Sequence, residues 1–131
     1  MNGIEKRFVL DTNAVIFLTD KGNVIPAGLE NELNDADLFI SVINEIELFS
    51  KPSLPLDKEE LLRNFLSDRT VIIDLTDDIK QTTITLRRSA KLKLPDCIVA
   101  ATSIVLDAVL FTNDKDLLNL SHPGFQVQNI Q

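Results

Sequence analysis

The chain has 131 residues and a formal net charge of −7 at pH 7, with 44% hydrophobic and 25% charged residues. This composition is typical of a globular protein and excludes a disordered chain, and the length predicts a single domain over residues 1–131. No apolar run approaches the roughly 20 residues that cross a bilayer. The acidic balance argues against broad electrostatic binding of nucleic acid, but not against a site where acids hold a cation that meets a phosphate.

Two features predict a cytoplasmic protein. The N-terminal stretch MNGIEKRFVLDTN contains only a short apolar run that ends in a charge, so we expect no signal peptide. The single cysteine, Cys97, cannot form an internal disulfide, which fits a reducing compartment. Its apolar neighbours predict a plain buried residue.

Short apolar segments alternate with helical patterns along the chain. Strands are predicted at residues 7–10, 37–43, 70–75, 108–112 and 125–130. Helices are predicted at residues 12–20, 25–34, 44–50, 57–68, 77–92, 95–107 and 115–120. The first four strands are nearly continuous apolar runs, which is typical of parallel strands covered on both faces. The alternation predicts an α/β sandwich around a parallel sheet.

Carboxylates recur at the predicted carboxyl ends of the strands, where open α/β sheets bind ligands. The acids in this position are Asp11 after the first strand, Glu45 and Glu47 after the second, and Asp114 and Asp116 after the fourth. Asp96 opens the helix that precedes the fourth strand, so it can lie at the same edge. Glu45 and Glu47 lie about 200° apart on one helix, so they cannot both face the same spot.

Each acid also has an alternative role at the start of a helix. The possible caps are Asp11 or Thr12, Asn113 or Asp114, and Asn44 with Glu47 as a capping box. Asp96 follows Pro95 in a first helical turn, where a carboxylate suits the helix dipole. Several like charges at one rim repel one another unless a cation lies among them. Oxygen ligands without clustered His or Cys favour Mg²⁺ or Mn²⁺ over zinc.

Other polar residues could support such a site. Thr112 ends a predicted strand, and its hydroxyl could hydrogen-bond an acid. Asn13 could orient a ligand or water, or act as a turn or cap residue. The basic segment RRSAKLK contains Arg87, Arg88, Lys91 and Lys93. It is either a solvated helix face or a patch that faces phosphates.

Four segments, taken in order, resemble the PIN domain and, within it, the VapC-like toxin ribonucleases. They are VLDTN at 9–13, ISVINEIEL at 40–48, LPDCIVAATS at 94–103 and LFTNDKDL at 110–117. The resemblance covers nearly the whole chain and implies a three-layer α/β/α sandwich with a mostly parallel five-stranded sheet. The departures are Asn44 in place of the usual Thr, and Phe49-Ser50 in place of an apolar-basic or glycine continuation. None of them removes a candidate ligand.

The resemblance also assigns roles to residues. It implies that the catalytic acids are Asp11, Glu47, Asp96 and Asp114, which would also bind the metal together with Asp116. Aligning Ser41 and Asn44 with the family's Ser and Thr selects Glu47 rather than Glu45. Thr112 corresponds to the small hydroxyl residue before the last acid. We expect Asp11 and Asp96 to be the closest metal ligands.

The activity implied by the resemblance is a Mg²⁺- or Mn²⁺-dependent endoribonuclease. A metal-activated water would cleave single-stranded or loop RNA, such as a tRNA or rRNA loop, and the protein would be the toxin of a type II toxin–antitoxin pair. Homodimers and a small VapB-like antitoxin that inserts a segment across the acidic groove are implied as well. One alternative is a non-catalytic α/β module that binds a divalent cation and RNA. Another is a receiver-like or phosphatase domain; a receiver would carry paired acids after its first strand, where this chain has only Asp11.

Overall fold

The structure is a computed structural model that describes residues 6–20 and 22–130. The strands are β1 (Arg7–Leu10), β2 (Asp37–Ser41), β3 (Val71–Ile73), β4 (Val109–Thr112) and β5 (Gln126–Asn129). The helices are α1 (Thr12–Thr19), α2 (Ala27–Asn34), α3 (Val42–Phe49), α4 (Leu56–Arg69), α5 (Asp77–Ser89), α6 (Leu94–Val105) and α7 (Lys115–Leu118). The expectation of no signal peptide depends partly on residues 1–5, which lie outside the described residues.

The five strands form one parallel sheet in the order β3-β2-β1-β4-β5. Successive side chains of a strand point to opposite faces. In β1, Phe8 and Leu10 therefore pack into one core with α1, α2 and α4, and Val9 packs into a second core with α5, α6 and α7. The predicted three-layer sandwich is confirmed, and the sheet is parallel throughout.

The strand order reverses between β1 and β4. The chain builds β2 and β3 on one side of β1, and β4 and β5 on the other. Leu10 is in register with Phe111, and the Asp11 amide donates to the Phe111 carbonyl at 3.1 Å. The residues that follow β1 and β4 therefore emerge side by side at the carboxyl edge, where such sheets bind ligands.

The junction of β2 and α3 differs from its prediction. The strand ends at Ser41, whose hydroxyl accepts from the Ile43 amide at 3.2 Å and begins α3 at Val42. The predicted strand over 37–43 was therefore too long, because Val and Ile in the first helical turn resemble strand residues. The capping box of Asn44 with Glu47 was wrong, since Asn44 lies inside the helix and is buried.

Two further predictions are corrected at the periphery of the sheet. β3 is an edge strand of three residues, and Val71 and Ile72 are 56% and 39% exposed, so it is not covered on both faces. The helix predicted over 77–92 ends at Ser89. Lys91 and Lys93 therefore lie between α5 and α6 rather than on a helix face. None of the helices formed by residues 6–20 and 22–130 combines the length and apolar character that a membrane crossing needs.

Candidate metal centre

Five of the predicted acids meet at the carboxyl edge of β1 and β4. The Asp11 carboxylate lies close enough to those of Glu47 and Asp114 for each to raise its pKa, and the Asp96 carboxylate is affected in the same way by Asp114, Asp11 and Asp116. The five acids divide into two groups that differ in their hydrogen bonds. Asp11 and Glu47 are called the hydrogen-bonded half. Asp96, Asp114 and Asp116 are called the open half.

Asp11 is buried and surrounded by donors. It is the N-cap of α1, where its Oδ1 accepts from the Thr12 amide at 2.7 Å. Its Oδ2 accepts from the Thr112 hydroxyl at 2.6 Å, and Asn44 Nδ2 lies 3.2 Å from Oδ1. Burial raises the pKa of Asp11, while the hydrogen bonds from Thr112 and Thr12 counteract part of that rise. The cap and the site thus use the same carboxylate.

Glu47 is connected to Asp11 through Thr12 and Asn44, which donate to both acids. Its Oε1 accepts from the Thr12 hydroxyl and from Asn44 Nδ2, both at 3.1 Å. Glu45 lies in the first turn of α3 and has no hydrogen bond within the described residues. Of the two glutamates that the sequence left open, the structure therefore brings Glu47 to Asp11.

The open half contains three carboxylates that face one another. Oxygen atoms of Asp96, Asp114 and Asp116 all lie within 4.8 Å of one another. Asp114 also caps α7, since its Oδ1 accepts from the amides of Asp116 and Leu117 at 2.8 and 3.3 Å. Within the described residues, the carboxylates of Asp96 and Asp116 accept no hydrogen bond. Their mutual repulsion is therefore not offset by neutral donors.

The raised pKa of Asp96 reflects, in part, the repulsion from the neighbouring carboxylates. Burial, followed by the neighbouring charges of Asp114 and Asp11, raises the pKa of Asp96 to about 6, against a smaller opposing effect of Lys93. A divalent cation would stabilise the charged form of all three acids, and hard carboxylate oxygens are the ligands that Mg²⁺ and Mn²⁺ take. The three carboxylates therefore suit such an ion as ligands. The expectation that Asp11 and Asp96 are the closest ligands stays a prediction; the three acids whose oxygen atoms converge include Asp96 but not Asp11.

Thr112 connects the two halves. Its hydroxyl donates to Asp11 Oδ2 and accepts from the Asp114 amide at 3.0 Å. Asn13 makes a second connection, because its Nδ2 donates to Asn113 Oδ1 at 3.0 Å and so ties α1 to the loop after β4. Both supporting residues predicted from the sequence therefore contact this edge.

The four basic residues of segment 87–93 are exposed and differ in their contacts. Arg87 Nη1 donates to the Leu92 carbonyl at 2.6 Å, so its guanidinium is bound to the backbone that leads into α6. Lys93 immediately precedes α6 and interacts electrostatically with Asp96. Arg88 and Lys91 form no hydrogen bond or ion pair within the described residues.

The prediction that Asn44 caps a helix was wrong, and the hydrogen bonds of the Thr12 side chain were not predicted. The available signal was the spacing of Asn44 and Glu47, because residues three apart share one face of a helix. That spacing was interpreted as a capping box. Thr12 had been considered only as a cap.

A comparison with protein families finds the PIN domain, matched over residues 8–123. Among solved structures, this chain is similar to a chain in the crystal structure of VapBC2 from Rickettsia felis bound to a DNA fragment from its promoter. The two are 26% identical with a TM-score of 0.73, over 94% of this chain and 98% of that one.

A second similar structure is a toxin–antitoxin complex from Klebsiella pneumoniae, with 29% identity, a TM-score of 0.68, and coverage of 89% of this chain and 93% of that one. DNA-bound VapBC from Salmonella typhimurium, at 22% identity and a TM-score of 0.73 over 98% and 100% of the two chains, shares the fold. No curated protein sequence matches this chain significantly.

Proposed function

This chain belongs to the PIN domain family, and on that premise we propose that it is a metal-dependent endoribonuclease and the toxin of a type II toxin–antitoxin pair. The observation that supports this most is the open half. Three carboxylates lie within 4.8 Å of one another at the point where the strand order reverses. A fold that holds such charges together, with two backbone amides on Asp114 as the only donors among the described residues, is suited to a cation and a phosphate.

The two halves of the acid cluster would have different roles, one in binding the cation and the other in orienting water. Asp96, Asp114 and Asp116 would hold Mg²⁺ or Mn²⁺, with Asp11 and Glu47 beside them. When bound, the cation supplies positive charge opposite the phosphate and favours ionisation of water. The two carboxylates of the hydrogen-bonded half would orient that water for in-line attack, which cleaves a phosphodiester without a covalent enzyme intermediate.

The RNA would be positioned by local charge, because the protein is acidic overall. Arg88 and Lys91 are exposed and form no ion pair within the described residues, so they are free to contact phosphates. Lys93 immediately precedes α6 and could place a phosphate near the open half. Single-stranded loops, such as those of tRNA or rRNA, expose the bases and backbone that such a site can use.

The antitoxin would bind beside the acids. A groove with a cavity volume of about 550 Å³ lies between α1, α3 and α4, and its wall includes Ile16, Leu48, Leu54 and Leu61. Thr12, which donates to Glu47, also lines the groove. An apolar segment of a VapB-like antitoxin seated there would reach the hydrogen-bonded half. The similar structure from Klebsiella pneumoniae is itself a toxin–antitoxin complex, and the one from Rickettsia felis is of VapBC2.

We propose three further properties on the same basis. The chain acts as one PIN-like domain over residues 1–131, it forms a homodimer, and it works in the cytoplasm, where its RNA substrates are. Sedimentation velocity of the purified protein at micromolar concentration tests the dimer. A species with the mass of two chains is expected, and a monomer over the whole concentration range would contradict the proposal.

The function is tested by incubating a panel of structured RNAs, tRNA included, with the purified protein in Mg²⁺, Mn²⁺ or EDTA. Asp96→Asn is compared with Asp68→Asn, an exposed acid near the C-terminal end of α4. We expect metal-dependent cleavage by the wild type and Asp68→Asn, and its loss in Asp96→Asn. Equal cleavage by all three would identify a contaminant. Cation binding without cleavage would favour the non-catalytic cation- and RNA-binding module.

A further inference from the structure

Asn44 is a buried amide between Asp11 and Glu47. It is 1% exposed and lies on α3, one helical turn before Glu47. Its Nδ2 lies 3.2 Å from Asp11 Oδ1, 2.9 Å from Thr12 Oγ1 and 3.1 Å from Glu47 Oε1. All three neighbours accept, which fixes the orientation of the amide, because the flipped side chain would turn its oxygen towards two carboxylates.

Each hydrogen bond between Asn44, Thr12 and Glu47 can pair a donor with an acceptor. The Thr12 hydroxyl accepts from Asn44 and donates to Glu47 at 3.1 Å. Glu47 Oε1 therefore receives two donors, although the Glu47 residue is exposed to solvent. An exposed glutamate side chain is otherwise free to change rotamer. Asn44 and Thr12 together hold it against Asp11.

The oxygen end of the amide has no hydrogen-bond partner within the described residues. Asn44 Oδ1 is buried, and no donor among the described residues lies within hydrogen-bond distance of it. An unpaired buried acceptor is unfavourable for folding, and such exceptions in native proteins call for an explanation. The two N–H groups provide one, because an apolar residue of similar size would leave both carboxylates without this donor.

We propose that Asn44 is a positioning residue for the nuclease, which keeps the Asp11 and Glu47 carboxylates at a fixed separation beside the cation held by the open half. The proposal deepens the proposed function and rests on it for its activity readout. Asn44 touches neither RNA nor the reacting atoms in this account and acts only through the two acids.

The test compares three substitutions at this position. Asn44→Thr keeps one donor, Asn44→Val has the shape of threonine without a donor, and Asn44→Asp has the shape of asparagine but only acceptors. We expect Val and Asp to lower kcat about 10- to 100-fold, with KM for RNA within about twofold. Thr is expected to restore kcat to within about tenfold of the wild type.

A control separates positioning from stability. Thr83→Val removes a buried hydroxyl, which donates to the Ile79 carbonyl on α5 away from the acids. We expect it to leave kcat unchanged. Equal losses in Asn44→Val and Asn44→Thr, or a loss in every variant that follows only the Tm, would overturn the positioning role.

A double-mutant cycle on Mn²⁺ affinity tests the proposal without any activity. The variants are Asn44→Val, Glu47→Gln and the double mutant, with binding measured by calorimetry. If Asn44 acts through Glu47, the affinity loss caused by Asn44→Val is expected to shrink at least about threefold in the Glu47→Gln background. Additive losses would overturn it. A wild type that binds Mn²⁺ but cleaves no RNA would refute the proposed function alone, whereas no Mn²⁺ binding would refute both.

Discussion

The two halves of the acid cluster carry the same kind of charge but keep it in place differently. In the hydrogen-bonded half, Asp11 and Glu47 share the donors Thr12 and Asn44, and Thr112 adds a third donor on Asp11. In the open half, the only donors from the part of the chain that the structure describes are two backbone amides on Asp114. The fold therefore fixes the first group in advance, while the second retains a repulsion that a cation can remove. Substitutions in the open half should have the largest effect on metal affinity, and those in the hydrogen-bonded half should mainly change turnover and stability, with a smaller effect on metal affinity.

The largest effect is expected from Asp114→Ser. Serine caps a helix about as well as aspartate, so α7 keeps its start while the open half loses a carboxylate. We expect cleavage to fall on the order of a hundredfold, at the upper end of the range for perturbed metal sites. The Tm should stay within about 2 °C. Initial rates at a Mn²⁺ concentration near the wild-type Kd and thermal melts provide the measurement, and wild-type rates in this variant would show that the open half is not used.

Thr112→Val should affect both turnover and stability. Valine has the shape of threonine but removes the donor to Asp11 Oδ2 and the acceptor for the Asp114 amide. We expect the free energy of unfolding to drop by about 1–3 kcal/mol in urea, since buried Asp11 loses a hydrogen bond. Cleavage should fall about 10- to 100-fold.

Thr112→Ser is the matched control for that prediction. It keeps the hydroxyl and loses only a methyl group, so both properties should lie closer to the wild type. If serine and valine were equally impaired, the hydroxyl would not be what connects the two halves.

The pH dependence of stability should differ between the wild type and Asp96→Asn. The pKa of Asp96 is raised from 3.8 to about 6, so between those values the folded protein binds more protons than the unfolded one. The contribution of Asp96 to stability is therefore greatest below about pH 4 and is lost as the pH rises through 6. Melts in EDTA between pH 4.5 and 7.5 should show the Tm of the wild type falling relative to Asp96→Asn.

The cation should reverse that trend. Adding Mn²⁺ favours the ionised carboxylate and should release protons on binding near pH 6. If the Tm difference between the wild type and Asp96→Asn stayed constant across the pH range in EDTA, the pKa of Asp96 would not be raised in the folded protein.

The smallest effects are expected in the basic segment. Arg87→Ala removes the bond to the Leu92 carbonyl and should lower the free energy of unfolding by about 1 kcal/mol. Arg88→Ala removes no such bond and should instead reduce the salt dependence of RNA binding, with unfolding unchanged. Urea melts and filter binding at several salt concentrations distinguish the two. If Arg87→Ala weakened RNA binding alone, the guanidinium would belong to the RNA surface.

The strands and their parallel arrangement could be predicted because the central runs are apolar on both faces. RFVL is buried at Phe8, Val9 and Leu10, and its pattern alone indicates a strand covered from two sides. The strand β3 has a similar apolar composition but is exposed because it lies at the edge of the sheet. Which strand forms the edge depends on contacts between residues far apart in the sequence, so the local pattern of β3 could not reveal it.

The candidate acids could be predicted from their positions after strands, but their division into two halves could not. It depends on which side chains donate to them. Asn44 illustrates why: its role follows from α3 beginning at Val42, two residues earlier than predicted, which turns a supposed cap into a buried helical residue. Ser41 was the local signal for that start, since serine is a favoured N-cap.

Isothermal calorimetry with Mn²⁺ at pH 7 tests most directly whether the open half binds the cation. The wild type, Asp96→Asn and the exposed control Asp68→Asn are compared under the same conditions. We predict the same Kd for the wild type and Asp68→Asn, and a Kd at least about tenfold higher for Asp96→Asn. Unchanged Mn²⁺ binding by Asp96→Asn would contradict the account.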